Sequence, residues 1–118
     1  AVVDFLDDAR ARGIAVLPPC VNHSIHHFAA TSPRHIRYGL GAIKGVGEPV
    51  AAAIAGERKR GGPYRDLYDF CQRVDLSKIN RRVLEALVGS GALDALGPNR
   101  ASLLAALPDA LKAAEQRS

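Results

Sequence analysis

Laid on itself at an offset of 44 residues, the chain repeats a pattern that few folds tolerate. Leu40-x-x-Ile43-x-Gly45-x-Gly47-x-x-x-Ala51 returns as Leu84-x-x-Leu87-x-Gly89-x-Gly91-x-x-x-Ala95. Two apolar residues three apart, a Gly-x-Gly and a small residue four further on describe two helices joined by a tight turn. The apolar pair packs one helix on the next, the glycines supply positive φ and close backbone approach, and the alanine lets the helices come near. Such a turn leaves unpaired amides around Ile43, Lys44, Gly45, Val46 and Gly47, at the N-terminus of the following helix. That arrangement binds an anion such as phosphate without reading a base.

The rest of the chain is read around this repeat. Val2 to Arg12 carries a helical stripe stopped by Gly13, and Ile14 to Leu17 alternates as a short strand ended by Pro18-Pro19. Residues 20–35 are polar, His-rich and aperiodic, the signature of a connecting loop. A helix and strand this small cannot bury themselves, so they are expected to be the edge of a neighbouring domain. From Ile36 onward the pattern predicts helices: Arg37 to Ile43, Pro49 to Lys59, Leu67 to Val74, one capped by Asn80 and running to Val88, and a last one capped by Asn99. Leu103, Leu104, Leu107 and Leu111 form the apolar face of the last helix, which Pro108 should bend or interrupt.

Charge is informative once it is located. Residues 1–33 carry net −1, residues 34–60 net +4 and residues 61–118 net +1, so the formal excess of the whole chain equals that of one segment. That segment holds Arg34, Arg37, Lys44, Arg58, Lys59 and Arg60 against Glu48 and Glu57. Local concentration of this kind is the footprint of a polyanion site, with an ordinary solvated surface as the alternative. The longest apolar run, Val50 to Ala55, is far short of the ~20 residues that span a bilayer. No secretory leader is visible, and Cys20 and Cys71 are expected to be reduced thiols. A chain of 118 residues without an initiating Met is expected to be one domain with an appendage, excerpted from a longer protein.

Leu40-Gly-Ala-Ile-Lys-Gly-Val-Gly47 followed by Ala51-x-x-Ile54 resembles the helix-hairpin-helix motif of DNA repair and replication proteins. More closely, Ile36-Arg-Tyr-Gly-Leu-Gly-Ala-Ile-Lys-Gly-Val-Gly-Glu48 is similar to the alpha (polymerase) subunit family of bacterial DNA polymerase III, of the replicative type. So are Gly62-Pro-Tyr-Arg-Asp-Leu-Tyr-Asp-Phe-Cys71, Ile79-Asn-Arg-Arg-Val-Leu-Glu-Ala-Leu87 and Gly13-Ile-Ala-Val-Leu-Pro-Pro19 with Val21-Asn-His-Ser24. The resemblance implies a mainly α fold: the end of a fingers region over 1–35, then a tandem helix-hairpin-helix domain over 36–118. Its first hairpin would span 40–54, a degenerate second 84–97, and a C-terminal helix 99–116.

The same resemblance implies a module that grips the phosphates of duplex DNA irrespective of sequence. Its parent would be a DNA-directed DNA polymerase using Mg²⁺, a cytoplasmic enzyme of the nucleoid-associated replication machinery. The parent's metal-binding aspartates lie in a palm that these residues lack, so the segment is expected to bind DNA and to catalyse nothing alone. Partners implied are duplex DNA, the rest of the polymerase chain and a sliding clamp held through a motif beyond residue 118, with no membrane. The alternative is a spacer between the fingers and later domains, its DNA contact incidental.

The expected contacts are Ile43, Lys44, Gly45, Val46 and Gly47, with Arg37, Arg58, Lys59 and Arg60. Arg58-Lys59-Arg60 equally suits a helix C-terminus. In the second hairpin Val88 stands where Lys44 does, and Pro98 cuts the following helix short. That copy is expected to be mainly structural, with a phosphate contact through Ser90 and Gly91 as the alternative. Cys20-x-x-His23-x-x-His26-His27 offers soft ligands but lacks the paired knuckles of a zinc site. Asp4, Asp7 and Asp8 suit the first turns of a helix better than an acid–base pair.

Overall fold

The N-terminal third holds one helix and a small sheet. A computed structural model describes residues 2–25 and 28–117. Helix α1 (Val2–Ala11) leads through Gly13 to β1 (Ala15–Leu17), and two further strands, β2 (Ala29–Ser32) and β3 (His35–Arg37), complete a small sheet in the order β1-β3-β2. β1 runs parallel to β3, with Val16 opposite Ile36, while β2 is antiparallel to β3 with an irregularity between Ala30 and Ser32. Residues 20–35, expected as a plain loop, therefore contribute β2 and the start of β3. These strands are too short to show alternation, and Ala29–Ser32 is largely exposed, so no apolar period marks it. β3 also crosses residue 35, where a boundary between two units was expected.

The expected helix over Arg37 to Ile43 is corrected too. Arg37 ends β3, and only a 3-10 turn, Leu40–Ala42, comes after it. Gly39 and Gly41 flank Leu40, each lowering helix propensity, and the Leu40 amide is drawn out to the Ile25 carbonyl at 2.7 Å. The remaining helices stand where the pattern placed them: α2 (Glu48–Gly61), α3 (Leu67–Arg73), α4 (Arg81–Ser90) and α5 (Arg100–Arg117). Asn80 and Asn99 cap as expected, and Asp66 does so without having been singled out. Asp66 accepts from the Asp69 amide at 2.8 Å, Asn80 from Val83 at 3.0 Å and Asn99 from Ser102 at 2.7 Å. After α4 only a 3-10 turn, Asp94–Leu96, fits before Pro98.

α5 is continuous through Pro108, so the expected interruption does not occur. Pro108 and Leu104, whose carbonyl loses its donor there, are both exposed, which lets water serve that oxygen. Leu104 accordingly leaves the apolar face, which is instead Leu103, Leu107, Ala110 and Ala114, with Leu111 at its margin. This face closes a core of Leu40, Ile54, Phe70, Leu84, Leu87 and Leu93, and α5 lies chiefly on α3 and α4. No strand residue is fully buried, so the core belongs to residues 40–114, with Val21 reaching in from the loop before β2. Among the described residues, no helix is long and apolar enough to cross a membrane.

Candidate nucleic-acid interface

The first hairpin is held from outside by the segment 20–25. Ser24, itself buried, accepts from the Cys20 amide at 2.9 Å and donates to the Tyr38 carbonyl at 2.8 Å. Arg58 Nη1 donates to the carbonyls of Val21 and Ser24 at 2.7 and 2.8 Å, tying α2 to that loop. Asn22 exchanges two hydrogen bonds with the backbone of Tyr64, and the Val21 amide donates to the Ala92 carbonyl in the second hairpin. One short loop thus fixes both turns.

Within that frame the chain turns at Gly45, φ +91°, a conformation few residues other than glycine adopt. A Cβ there would lie 3.7 Å from the Ala86 side chain, so the turn rests directly on α4. Gly47 is different: at φ −88° and ψ 177° it is ordinary extended backbone and serves as the N-cap of α2. The expectation that both glycines of each hairpin support positive φ is therefore corrected. Gly45 does so in the first copy and Gly91 in the second, while Gly89 is helical. The alanines part company as well, Ala51 being fully buried and Ala95 exposed.

Accounting for the amides separates the two copies further. In the first, Val46 donates to Ile43 and Ala51 to Gly47, whereas the amides of Lys44, Gly45, Gly47, Glu48 and Val50 have no acceptor among the described residues. These lie around the N-terminus of the fourteen-residue α2, where the helix dipole is positive. Lys44 is exposed and has no ion-pair partner among the described residues; Ile43 and Val46 are buried and fix the turn from within. Glu48, exposed in the first turn of α2, is the opposing charge.

In the second copy the Gly91 amide already donates to Leu87 and Val88, and the Ala92 amide to Leu87. The Ser90 hydroxyl donates to the Leu87 carbonyl at 2.9 Å. Gly91 thus has no amide left for an anion, against the nest considered there. A carboxylate also stands over the turn: Asp94, paired with Arg100 at 3.2 Å, would lie 3.2 Å from a Cβ on Gly91.

The basic run after the first hairpin is elsewhere. Twelve residues of α2, about 18 Å along a helix axis, separate Gly47 from Lys59. There Arg58 braces the loop, Arg60 pairs with Glu57, and Lys59 is exposed. Arg37 is half-buried, its Nη1 donating to the Pro18 carbonyl at 3.0 Å. The sequence did not reveal Arg73, the bond between α2 and α3. It pairs with Glu57 and Asp69 at 3.1 Å each, donates to the Gly62 carbonyl and lies 4.4 Å over the Tyr64 ring. Hydrogen bonds from Arg60 and then Arg73 hold the Glu57 carboxyl below its ordinary range. Burial would raise Asp69, but the Arg65 amide and Arg73 outweigh it and hold that carboxyl low as well. Burial pushes the Tyr64 hydroxyl up to about 12 and the Cys71 thiol up to about 11, which makes both inert near neutrality.

His26 and His27 lie outside the described residues; among those described, no three His, Cys, Asp or Glu side chains gather as metal ligands. Asp8 pairs with Arg12 on the exposed side of α1.

Residues 13–103 match the helix-hairpin-helix motif family. The chain belongs to that family. The match begins at the first turn after α1 and so takes in the sheet as well as both hairpins. Among curated proteins, the chain is 56% identical to DNA polymerase III subunit alpha of Xylella fastidiosa (strain Temecula1) over 99% of its own length. Against the proteins of the same name from Escherichia coli K12 and Vibrio cholerae the identities are 50% and 48%, over 99% and 98% of the chain. It spans about a tenth of the length of each of these relatives. The likeness to the alpha subunit drawn from Ile36 to Glu48 and its neighbours is borne out along nearly the whole helix-hairpin-helix chain.

Proposed function

We propose that this chain is a sequence-independent duplex-DNA-binding module of a replicative polymerase's alpha subunit, and that its first hairpin holds a backbone phosphate. One observation carries the reading: among the described residues, five amides between Lys44 and Val50 have no acceptor, and with the exposed Lys44 they belong to the turn and N-terminus of α2, which α4 buttresses. Amides and an ammonium recognise a phosphodiester without contacting a base edge, so binding is set by charge and geometry rather than sequence. The second hairpin, its Gly91 amide engaged and its turn covered by the Asp94–Arg100 pair, serves as packing partner to the first. Transfer of nucleotides to a primer, with its metal ions, belongs to other parts of the parent protein.

The test is a titration of random-sequence duplexes from low to moderate salt. Contact with ~2–4 phosphates gives a slope of log K against log salt of about −2 to −4. Binding indifferent to salt, or strongly selective for one sequence, refutes the reading. In parallel, the chain given primed template, Mg²⁺ and all four deoxynucleoside triphosphates leaves the primer length unchanged; extension by pure protein would place the chemistry here after all.

A further inference from the structure

The first turn of α4 holds two cations where a helix disfavours them. Arg81 and Arg82 come directly after the Asn80 cap, and no acidic residue accompanies them in that turn. A helix N-terminus is positive, so arginines there cost stability unless something offsets them. Arg81 is offset by Glu85, one turn on at 4.0 Å. Arg82 is exposed and has no ion-pair partner among the described residues.

Its place on α4 gives the misfit a purpose. Residues four apart share a helix stripe, so Arg82, Ala86 and Ser90 succeed one another along one side. Ala86 is the residue on which Gly45 rests. Ala86 and Ser90 also line, with Ala42, Ile43, Lys44, Tyr38 and Pro19, an open cleft of about 490 Å³ beside the first hairpin. Arg82 therefore stands one turn, about 6 Å along the axis, from the point where α4 meets the phosphate-holding turn. An arginine side chain spans that distance.

We propose that Arg82 is a second phosphate contact, binding a phosphate next to the one held at Gly45 on the same duplex. This inference rests on the function proposed above. It makes the interface a composite of the α2 N-terminus and the side of α4. The second helical unit then contributes to DNA binding through the beginning of its helix rather than through its own turn.

The experiment compares the 118-residue chain with Arg82→Gln, Arg82→Lys, Arg81→Gln and Lys44→Ala, measuring affinity for a random duplex across salt and the thermal midpoint of each. Arg82→Gln is expected to weaken binding and reduce the salt slope by about one unit. Its thermal midpoint is expected to stay level or rise slightly, because a cation has left the positive end of a helix. Arg82→Lys restores the slope, and Arg81→Gln leaves it in place. If Lys44→Ala weakens binding while Arg82→Gln changes neither affinity nor slope, the inference falls and the proposed function stands. Equal losses in the two arginine variants would reduce Arg82 to diffuse charge and likewise overturn it. If the unaltered chain shows no salt-dependent binding, both readings fall together.

Discussion

In the first hairpin Gly45 turns the chain at φ +91° and five amides around it have no acceptor among the described residues; in the second Gly91 turns it at the same φ, with its own amide already bonded to Leu87 and Val88. The two turns differ in the element each one introduces. After Gly45 comes a helix of fourteen residues, whose dipole and orphan amides are directed at the turn. After Gly91 come Ala92 and Leu93, both buried, then a single 3-10 turn before Pro98. One glycine turn opens a helix N-terminus to solvent and the other seals a helix C-terminus into the core. On the function proposed above, the first turn acquires its anion site from the helix it introduces, not from its glycines.

Several substitutions break or sharpen that contrast. The largest expected effect is from Gly45→Val. A β-branched residue at φ +91° is strained by about 1–3 kcal/mol, and its Cβ would already stand 3.7 Å from the Ala86 side chain, so the midpoint of urea denaturation should fall and duplex binding should be lost. Retention of both would show that the turn tolerates other shapes. Gly91→Ala comes next. Its Cβ would stand 2.7 Å from Arg100 Nη2, a flexible side chain that can yield, but the backbone strain remains. A stability loss of about 1–2 kcal/mol with little change in DNA affinity is expected, read by parallel melts and titrations.

Acid should act on the α2–α3 side. Glu57 and Asp69 are both held below their ordinary values of 4.5 and 3.8, so the folded protein binds fewer protons than the unfolded chain in that range. Their contribution is complete above about pH 4.5 and declines as pH falls through the lower folded values. Arg73→Ala should flatten this acid limb in a pH series of denaturation midpoints; an unchanged limb would mean that other carboxyls set it. The smallest effect is Gly47→Ala. With ordinary φ and the nearest atom, Pro49 Cδ, at 3.6 Å, it should cost about 0.5–1 kcal/mol as a poorer N-cap and spare most DNA binding. A loss like that of Gly45→Val would move the critical conformation to Gly47.

The helices were legible through their apolar stripes and the caps Asn80 and Asn99; Asp66 plays the same part for α3, and Gly62 and Gly91 close α2 and α4, as only the structure shows. The sheet was not, since three- and four-residue strands with half-exposed side chains carry no periodicity, and the β1–β3 pairing joins residues twenty apart. The offset of 44 located both turns but misassigned their glycines, because Gly-x-Gly spacing does not say which member takes positive φ. Lys44 stood out as a lone cation in a glycine turn. The structural roles of Arg58 and Arg73 depend on carbonyls and carboxylates remote in sequence, and charge counting places such residues on the surface by default.

The central claim is that the turn at Gly45 holds a phosphate whereas the turn at Gly91 serves packing alone. It is tested most directly by the salt dependence of duplex binding for the unaltered chain, Lys44→Ala and Gly91→Ala, with melting temperatures measured on the same samples. Lys44→Ala should melt normally, bind more weakly and lose about one unit of slope, while Gly91→Ala should melt lower and keep the slope of the unaltered chain. A Gly91→Ala protein that melts normally yet no longer binds, beside a Lys44→Ala protein that binds undiminished, would contradict the account.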